Sequence, residues 1–213
     1  MKTSIYNVII IDQSGSMDFI KRQAMSGYNE TIQMIKSAQK EFDKSQEQFV
    51  TLALFNSKEI NTVYDAVPCY KAEELNNKTF RPYGGTPLYD AIGISLSKFR
   101  YSLPSGRKHK VLVTIITDGE ENSSKEYSGQ MISKMIQELR SKGWVFTYIG
   151  ANQDVEKVAT TISITNVMQF ETSEAGTKAM FEKERSNRKR WYGRVADGEC
   201  AETLAESYFD NKK

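Results

Sequence analysis

The sequence predicts a doubly wound α/β fold, and three observations predict it. Two apolar runs, Val8-Ile9-Ile10-Ile11 and Val111 to Ile116, read as strands buried on both faces, as at the centre of a parallel sheet. Each run ends abruptly in a carboxylate, Asp12 and Asp118. Around them, strand-like and helix-like segments alternate at the spacing of strand–helix–strand units. A chain of 213 residues is one domain by its length and buries a substantial core.

The elements follow in order. Residues 4–11 form the first strand. Ile20, Ala24, Tyr28, Ile32, Ile35 and Phe42 recur at helical spacing between charged and amide residues, which predicts a long amphipathic helix over about 20–42. Phe49–Phe55 is the second strand. Asn56-Ser57-Lys58 is too short for a crossover, so the alternating residues 59–67 return as an antiparallel strand at the sheet edge. Residues 68–81 are irregular, with one helical turn expected at 72–75. Gly84-Gly85 permits unusual backbone angles; Thr86 then suits an N-cap and Pro87 the first position of a helix reaching about Tyr101. A loop over 103–109 leads to the strand 111–117. A helix is expected over 126–141, with Met131, Met135, Ile136 and Leu139 facing inward. Further elements are a strand at 144–150, a short helix at 154–161, a strand at 165–170 and a helix over 173–190 capped by Ser173. The domain is expected to occupy 1–190, and 191–213 to be a tail with a short helix near 199–208 or partial disorder.

Composition excludes several classes. Lys plus Arg number 29 against 27 Asp plus Glu, so net charge points to no nucleic-acid partner. The amino-terminal residues Met1-Lys2-Thr3-Ser4 lead straight into a strand, with no signal-like segment, and no apolar run approaches a membrane span. The two cysteines, Cys69 and Cys200, imply no disulfide framework. Together these features lead us to expect a cytoplasmic protein. The single histidine, His109, stands before the fourth strand, at the edge away from Asp12 and Asp118, so a Ser-His-Asp hydrolase lacks its base where it needs one. One His and two separated Cys do not make a structural zinc site, and no G-x-x-x-x-G-K-[ST] phosphate loop occurs.

The chemistry lies where the strands end. Asp12, Ser14 and Ser16 follow the first strand at alternate positions and offer only oxygen, which suits a hard divalent cation such as magnesium; the same residue types also cap helices. Thr86 at the glycine turn and Asp118 after the fourth strand belong to the same carboxyl edge, because those two strands are neighbours across the switch point of a doubly wound sheet. Ser14, Ser16 and Thr86 are neutral donors. Asp12 and Asp118 bind directly or orient water. A mostly neutral shell leaves the cation much of its charge and favours an anionic ligand from outside.

The segments Ile11-Asp12-Gln13-Ser14-Gly15-Ser16-Met17, Gly84-Gly85-Thr86-Pro87-Leu88 and Ile116-Thr117-Asp118-Gly119 resemble those of a von Willebrand factor type A domain with its metal-ion-dependent adhesion site. The resemblance covers about residues 4–170, and all five positions of the family motif are matched. It implies a Rossmann-like sheet in the order 3-2-1-4-5-6 with helices on both faces. It also implies Mg2+ (or Mn2+ or Ca2+) at the crest and binding of a protein that presents an Asp or Glu to the metal. It places the chain with small intracellular members of prokaryotic type.

Other residues carry competing readings. Asp90 reads as a helix-surface residue or a support behind the ligands, and Glu120 and Glu121 as solvated groups at the crest. Gln13 and Met17 either touch a partner or pack. Of Tyr83 and Tyr89, at least one is expected in the core. A metal-assisted hydrolase or phosphatase would use Glu120 or Glu121 as base. The basic stretch 183–194, with Trp191 and Tyr192, reads as a solvated helix face, with nucleic-acid association as the alternative.

Overall fold

The first strand, β1 (Thr3–Asp12), is buried along its whole length. Its side chains divide by parity: Ile5, Ile9 and Ile11 join one core cluster, and Tyr6, Val8 and Ile10 join another on the opposite face. A strand so placed has apolar neighbours on both sides, and β1 pairs in parallel with β2 (Gln46–Phe55) and β4 (His109–Thr117). The computed structural model describes residues 2–104, 106, 108–151, 154–206 and 208–209. With β3 (Ile60–Pro68), β5 (Val145–Gly150) and β6 (Asn166–Gln169) these strands form one six-stranded sheet in the order 3-2-1-4-5-6. Helices α1 (Lys21–Glu41), α5 (Glu174–Ala196) and α6 (Ala201–Glu206) cover one face. Helices α2 (Leu88–Ser102), α3 (Gly129–Ser141) and α4 (Val155–Thr161) cover the other.

The edge strand β3 is antiparallel to β2, as its four-residue connection requires. Its register shifts between Val50 and Ala53, where Ala66 adopts φ 50° and its N–H donates to Thr51 Oγ1 at 2.9 Å. This bulge interrupts the ladder, which resumes at Val50 with Val67 and Phe49 with Pro68. Cys69 is buried, Cys200 is exposed, and both are free thiols. Among the described residues no helix is long and apolar enough to cross a membrane.

Four local expectations are corrected. The helical turn expected at 72–75 is instead a 3-10 turn at Cys69–Lys71. The Asn29 side chain accepts from Leu75 N–H (2.7 Å) and donates to Leu75 C=O (3.0 Å), and this pairing holds the segment extended while Ala72 and Leu75 enter the core. Helix α2 begins at Leu88, with Pro87 rather than Thr86 at the N-cap position. Helix α3 begins at Gly129, capped by Ser128, because the N–H groups of residues 125–127 are already taken by Asp90; Ile132, Ile136 and Leu139 face inward, and Met131 is half exposed.

The largest correction concerns α5, which passes residue 190 without a break and ends at Ala196. Met180, Phe181, Glu184, Arg188, Trp191, Tyr192 and Val195 are all buried, so the stretch read as a solvated basic face is half interior. The polypeptide beyond it packs on the same core through Leu204, Tyr208 and Phe209, while Ser207 and residues 210–213 of the expected tail lie outside the described residues.

Candidate functional site

The register of the sheet brings the first two parts of the site together. Ile11 lies beside Ile116, so Asp12 and the pair Thr117-Asp118 leave the sheet side by side. Asp12 is fully buried and its carboxylate is fixed at both oxygens. Oδ1 accepts from the Ser14 N–H at 2.6 Å and Oδ2 from the Thr117 hydroxyl at 2.6 Å. Ser14 occupies the N-cap position of a 3-10 turn over Gly15–Ile20, yet its side chain makes no capping bond. Its Oγ lies 3.1 Å from Ser16 Oγ, and the Ser16 hydroxyl donates to Asp118 Oδ1 at 2.7 Å. The capping role open to Ser14 in the sequence is therefore not the one it plays.

Thr86 reaches the same place from the α2 side. Its backbone is bracketed by Asn122: Thr86 N–H donates to Asn122 Oδ1 (2.9 Å), and Thr86 C=O accepts from Asn122 N–H (3.1 Å). The glycine turn before it is fixed by Gly15 N–H donating to Gly84 C=O at 2.9 Å. Gly84 has φ 69°, and a Cβ there would lie 2.2 Å from Ser57 Oγ, so both backbone and space require glycine. Gly119 shows the convergence directly. A Cβ built on it would meet Thr86 Oγ1 at 3.1 Å, Ser16 Oγ at 3.7 Å and Asp12 Oδ2 at 4.0 Å. The structure thus gathers all five positions, Asp12, Ser14, Ser16, Thr86 and Asp118, around one point. Asp12, Ser14, Thr86 and Asp118 are buried and Ser16 is exposed, so the cluster opens to solvent through Ser16.

Electrostatics make this cluster a poor resting place for two negative charges. Burial pushes the Asp12 carboxyl up to about 6; hydrogen bonds from Thr117 and Ser14 oppose the rise and the nearby Asp118 adds to it. Burial also raises Asp118, against the hydrogen bond from Ser16. Two neighbouring carboxylates removed from water are costly unless positive charge joins them. All five donors are hard oxygens, and the space before Gly119 lies among them, so the residues present fit a small divalent cation. Among the described residues no three of His, Cys, Asp and Glu gather as a metal-holding group; here three hydroxyls accompany two carboxylates.

Of the two roles the sequence left open to Asp90, the structure shows the supporting one. Asp90, buried at the start of α2, accepts from the N–H groups of Lys125, Glu126 and Tyr127 at 2.7–2.9 Å. Glu121 reaches in the opposite direction, accepting from Tyr89 N–H (2.9 Å) and from Ser123 and Ser124. These reciprocal bonds clamp the loop after β4 onto the amino end of α2, and so set Asp118 against Thr86. Glu121 is therefore not the solvated group expected, whereas Glu120 is exposed. Thr117 and Asn122 were the residues missed, and Glu121 was given the wrong role. The polar run Glu121-Asn122-Ser123-Ser124 was the available signal, but nothing local says which helix it caps.

Gln13 and Met17 are packed rather than free. Gln13 accepts from Arg81 N–H at 2.9 Å and Met17 joins the core. Tyr89 is partly buried, and Tyr83 is exposed. Replacing Asp90 with alanine strands three N–H groups, and the expected loss is about 2 kcal/mol, seen as a melting point lowered by roughly 4–8 °C. An unchanged melting point would mean that the clamp contributes nothing.

The sequence matches the profile of the von Willebrand factor type A domain over residues 8–185. The chain belongs to this family. Solved structures agree at the level of fold. A von Willebrand factor type A protein from Catenulispora acidiphila superposes with a TM-score of 0.57 at 16% identity, covering 88% of this chain and 43% of that one. Proximal thread matrix protein 1 from the mussel byssus, with a zinc-occupied MIDAS motif, gives 0.58 at 14% identity, covering 88% and 46%. The SpRpn10 VWA domain gives 0.53 at 9% identity, covering 88% and 95%. This chain thus spans less than half the length of the bacterial and mussel proteins and nearly the whole of the SpRpn10 domain. A search of curated proteins gives no match.

Proposed function

We propose that this von Willebrand factor type A domain is a divalent-cation-dependent protein-binding module with a complete metal-ion-dependent adhesion site. The observation that carries the reading is the space before Gly119, where Asp12 and Ser16 of one loop meet Thr86 of another, with Asp118 of the third loop bonded to Ser16. Ser14, Ser16 and Thr86 would hold the ion as neutral ligands, with Asp12 and Asp118 binding it directly or through water. Magnesium suits this all-oxygen set, as do manganese and calcium. Bound there, the cation supplies a coordination position for an Asp or Glu carboxylate of a partner protein. The chain's own part is to fix the oxygens beforehand: Thr117 and the Ser14 N–H hold Asp12, and the Asp90–Glu121 clamp holds the two flanking loops together.

Binding is favoured over catalysis by the groups available. Glu121, a candidate base, is already bound by three N–H groups and the Ser124 hydroxyl. His109 begins β4, at the far edge of the sheet. Nucleic-acid association through 183–194 is disfavoured by the pairing of four of its six cations: Arg185 with Glu30, Arg188 with Glu184, Lys189 with Glu41 and Arg194 with Glu199. We further propose, on the sequence resemblance alone, that the protein is cytoplasmic, a small intracellular member of prokaryotic type.

The test pairs magnesium titration by calorimetry with partner capture from native extract, for the wild type and Asp12→Ala. Metal-dependent capture that chelator and Asp12→Ala both abolish is the expected result. Capture undiminished by chelator would refute the reading.

A further inference from the structure

A polar groove of about 660 Å³ adjoins the candidate metal site on its β2–β3 side. Its walls carry three cations, Lys58, Lys78 and Arg81, against one carboxylate, Glu59. It is continuous with the site through backbone: Gln13, which lines it, precedes Ser14, and Tyr83 N–H donates to Gln13 C=O at 2.9 Å beside the Gly15–Gly84 bond. Lys58, Lys78 and Arg81 are all exposed, and among the described residues none has a carboxylate within ion-pair distance. The basic residues of α5 behave otherwise, since four of them are spent on acidic neighbours. In a chain of net charge +2, three unpaired cations in one concave wall are a local excess that an acidic ligand complements.

We propose that this groove receives an acidic segment of the partner, so that the binding motif is a run of carboxylates rather than a single one. One carboxylate goes to the cation, and its neighbours in sequence lie against Lys58, Lys78 and Arg81, with the exposed ring of Tyr83 as a flank. The inference rests on the metal-dependent reading above for the first carboxylate. The groove contacts are separate from it and sensitive to salt.

Two fluorescein-labelled peptides test the proposal by anisotropy in magnesium. One is an octaglutamate, and the other carries a single Glu among Gly and Ser. The variants are Lys58→Ala/Lys78→Ala/Arg81→Ala and a charge-matched control at the opposite edge of the sheet, Lys40→Ala/Lys44→Ala/Lys108→Ala. Octaglutamate is expected to bind the wild type and the control alike, more tightly than the single-Glu peptide, and to bind the groove variant about tenfold more weakly. Equal binding by groove variant and wild type, equal loss in the control, or no binding of octaglutamate at all would overturn the proposal. Chelator separates the two readings. Octaglutamate binding that survives chelator but is weakened in the groove variant supports the groove and removes the metal. Binding lost to chelator but indifferent to the groove variant supports the metal and removes the groove. Tighter binding of a ten-residue oligothymidylate than of octaglutamate would assign the groove to nucleic acid and overturn it as a peptide site.

Discussion

Gly119→Ala is expected to weaken magnesium binding by roughly 10–100-fold or more while leaving the fold intact. The backbone at Gly119 is not in the left-handed region, so alanine is admissible there, and the effect comes from the methyl group alone. That methyl would stand 3.1 Å from Thr86 Oγ1 and within 4.0 Å of Ser16 Oγ and Asp12 Oδ2, in the space the oxygens share. Either the methyl displaces the ion or Thr86 yields, and Thr86 is held by both backbone bonds to Asn122. Removing a ligand, as in Asp12→Ala, also removes a buried charge and two structural hydrogen bonds, so its effect mixes affinity with stability. Gly119→Ala does not. Calorimetric titration with magnesium, beside a urea unfolding curve, separates the two quantities. Wild-type affinity in this variant would show that the cation sits elsewhere.

Arg188→Met is expected to destabilise the protein by about 3–5 kcal/mol, because it leaves Glu184 buried and unpaired. Arg188 is fully buried beneath the sheet. Its Nε donates to Glu184 Oε1 (2.8 Å), one terminal nitrogen to Asn7 Oδ1 (2.8 Å) and the other to Thr114 Oγ1 (2.7 Å). Burial is the largest influence and opposes its charge, but Glu184, through its charge and hydrogen bond, together with Tyr208 and Tyr192 outweighs burial and holds the guanidinium protonated, above its ordinary range. The network extends further. Tyr208 donates to Glu184 and Tyr192 to Asn7, and Asn7 donates to Gln48 and to Phe49 C=O. The double variant Arg188→Met/Glu184→Leu is expected to be more stable than Arg188→Met alone, since it removes the stranded carboxylate too. Urea unfolding measures both. A single-variant loss below about 1 kcal/mol would mean that the ion pair is solvated rather than buried. The function of such a network is specification: it favours one register of α5 on the sheet, because a one-turn slip carries Arg188 away from Asn7 Oδ1 and Thr114 Oγ1.

The network also shows why half of α5 was misread. Glu184 and Arg188 are four residues apart, a spacing that an exposed helix face uses as readily as a buried one. The signal against exposure lay in the company they keep. Residues 177, 181, 184, 188, 191 and 195 form one helical stripe, and Phe181, Trp191 and Val195 make it an inner one. Asn7, set between Ile5-Tyr6 and Val8-Ile9 in an otherwise apolar strand, needed a buried partner from somewhere. Neither observation identifies the other, because 181 residues separate Asn7 from Arg188. The partners of Asp90 and Glu121 were hidden for the same reason: each caps a segment about 30 or more residues away.

By itself the sequence determined the sheet, its antiparallel edge and the meeting of Asp12, Ser14, Ser16, Thr86 and Asp118, and the strand order followed from the family resemblance. Those features depend on local periodicity, on short turns and on a motif whose parts all stand at strand or helix ends. Tertiary structure alone decided what surrounds that meeting point: the clamp from Asp90 and Glu121, the buried pair beneath α5 and the unpaired cations of the adjoining groove. The difference is physical. A buried strand or an amphipathic helix is written in neighbouring residues, whereas the satisfaction of a buried polar group, or the pairing of a surface charge, depends on whatever distant side chain the folded chain brings within 3 Å or so of it.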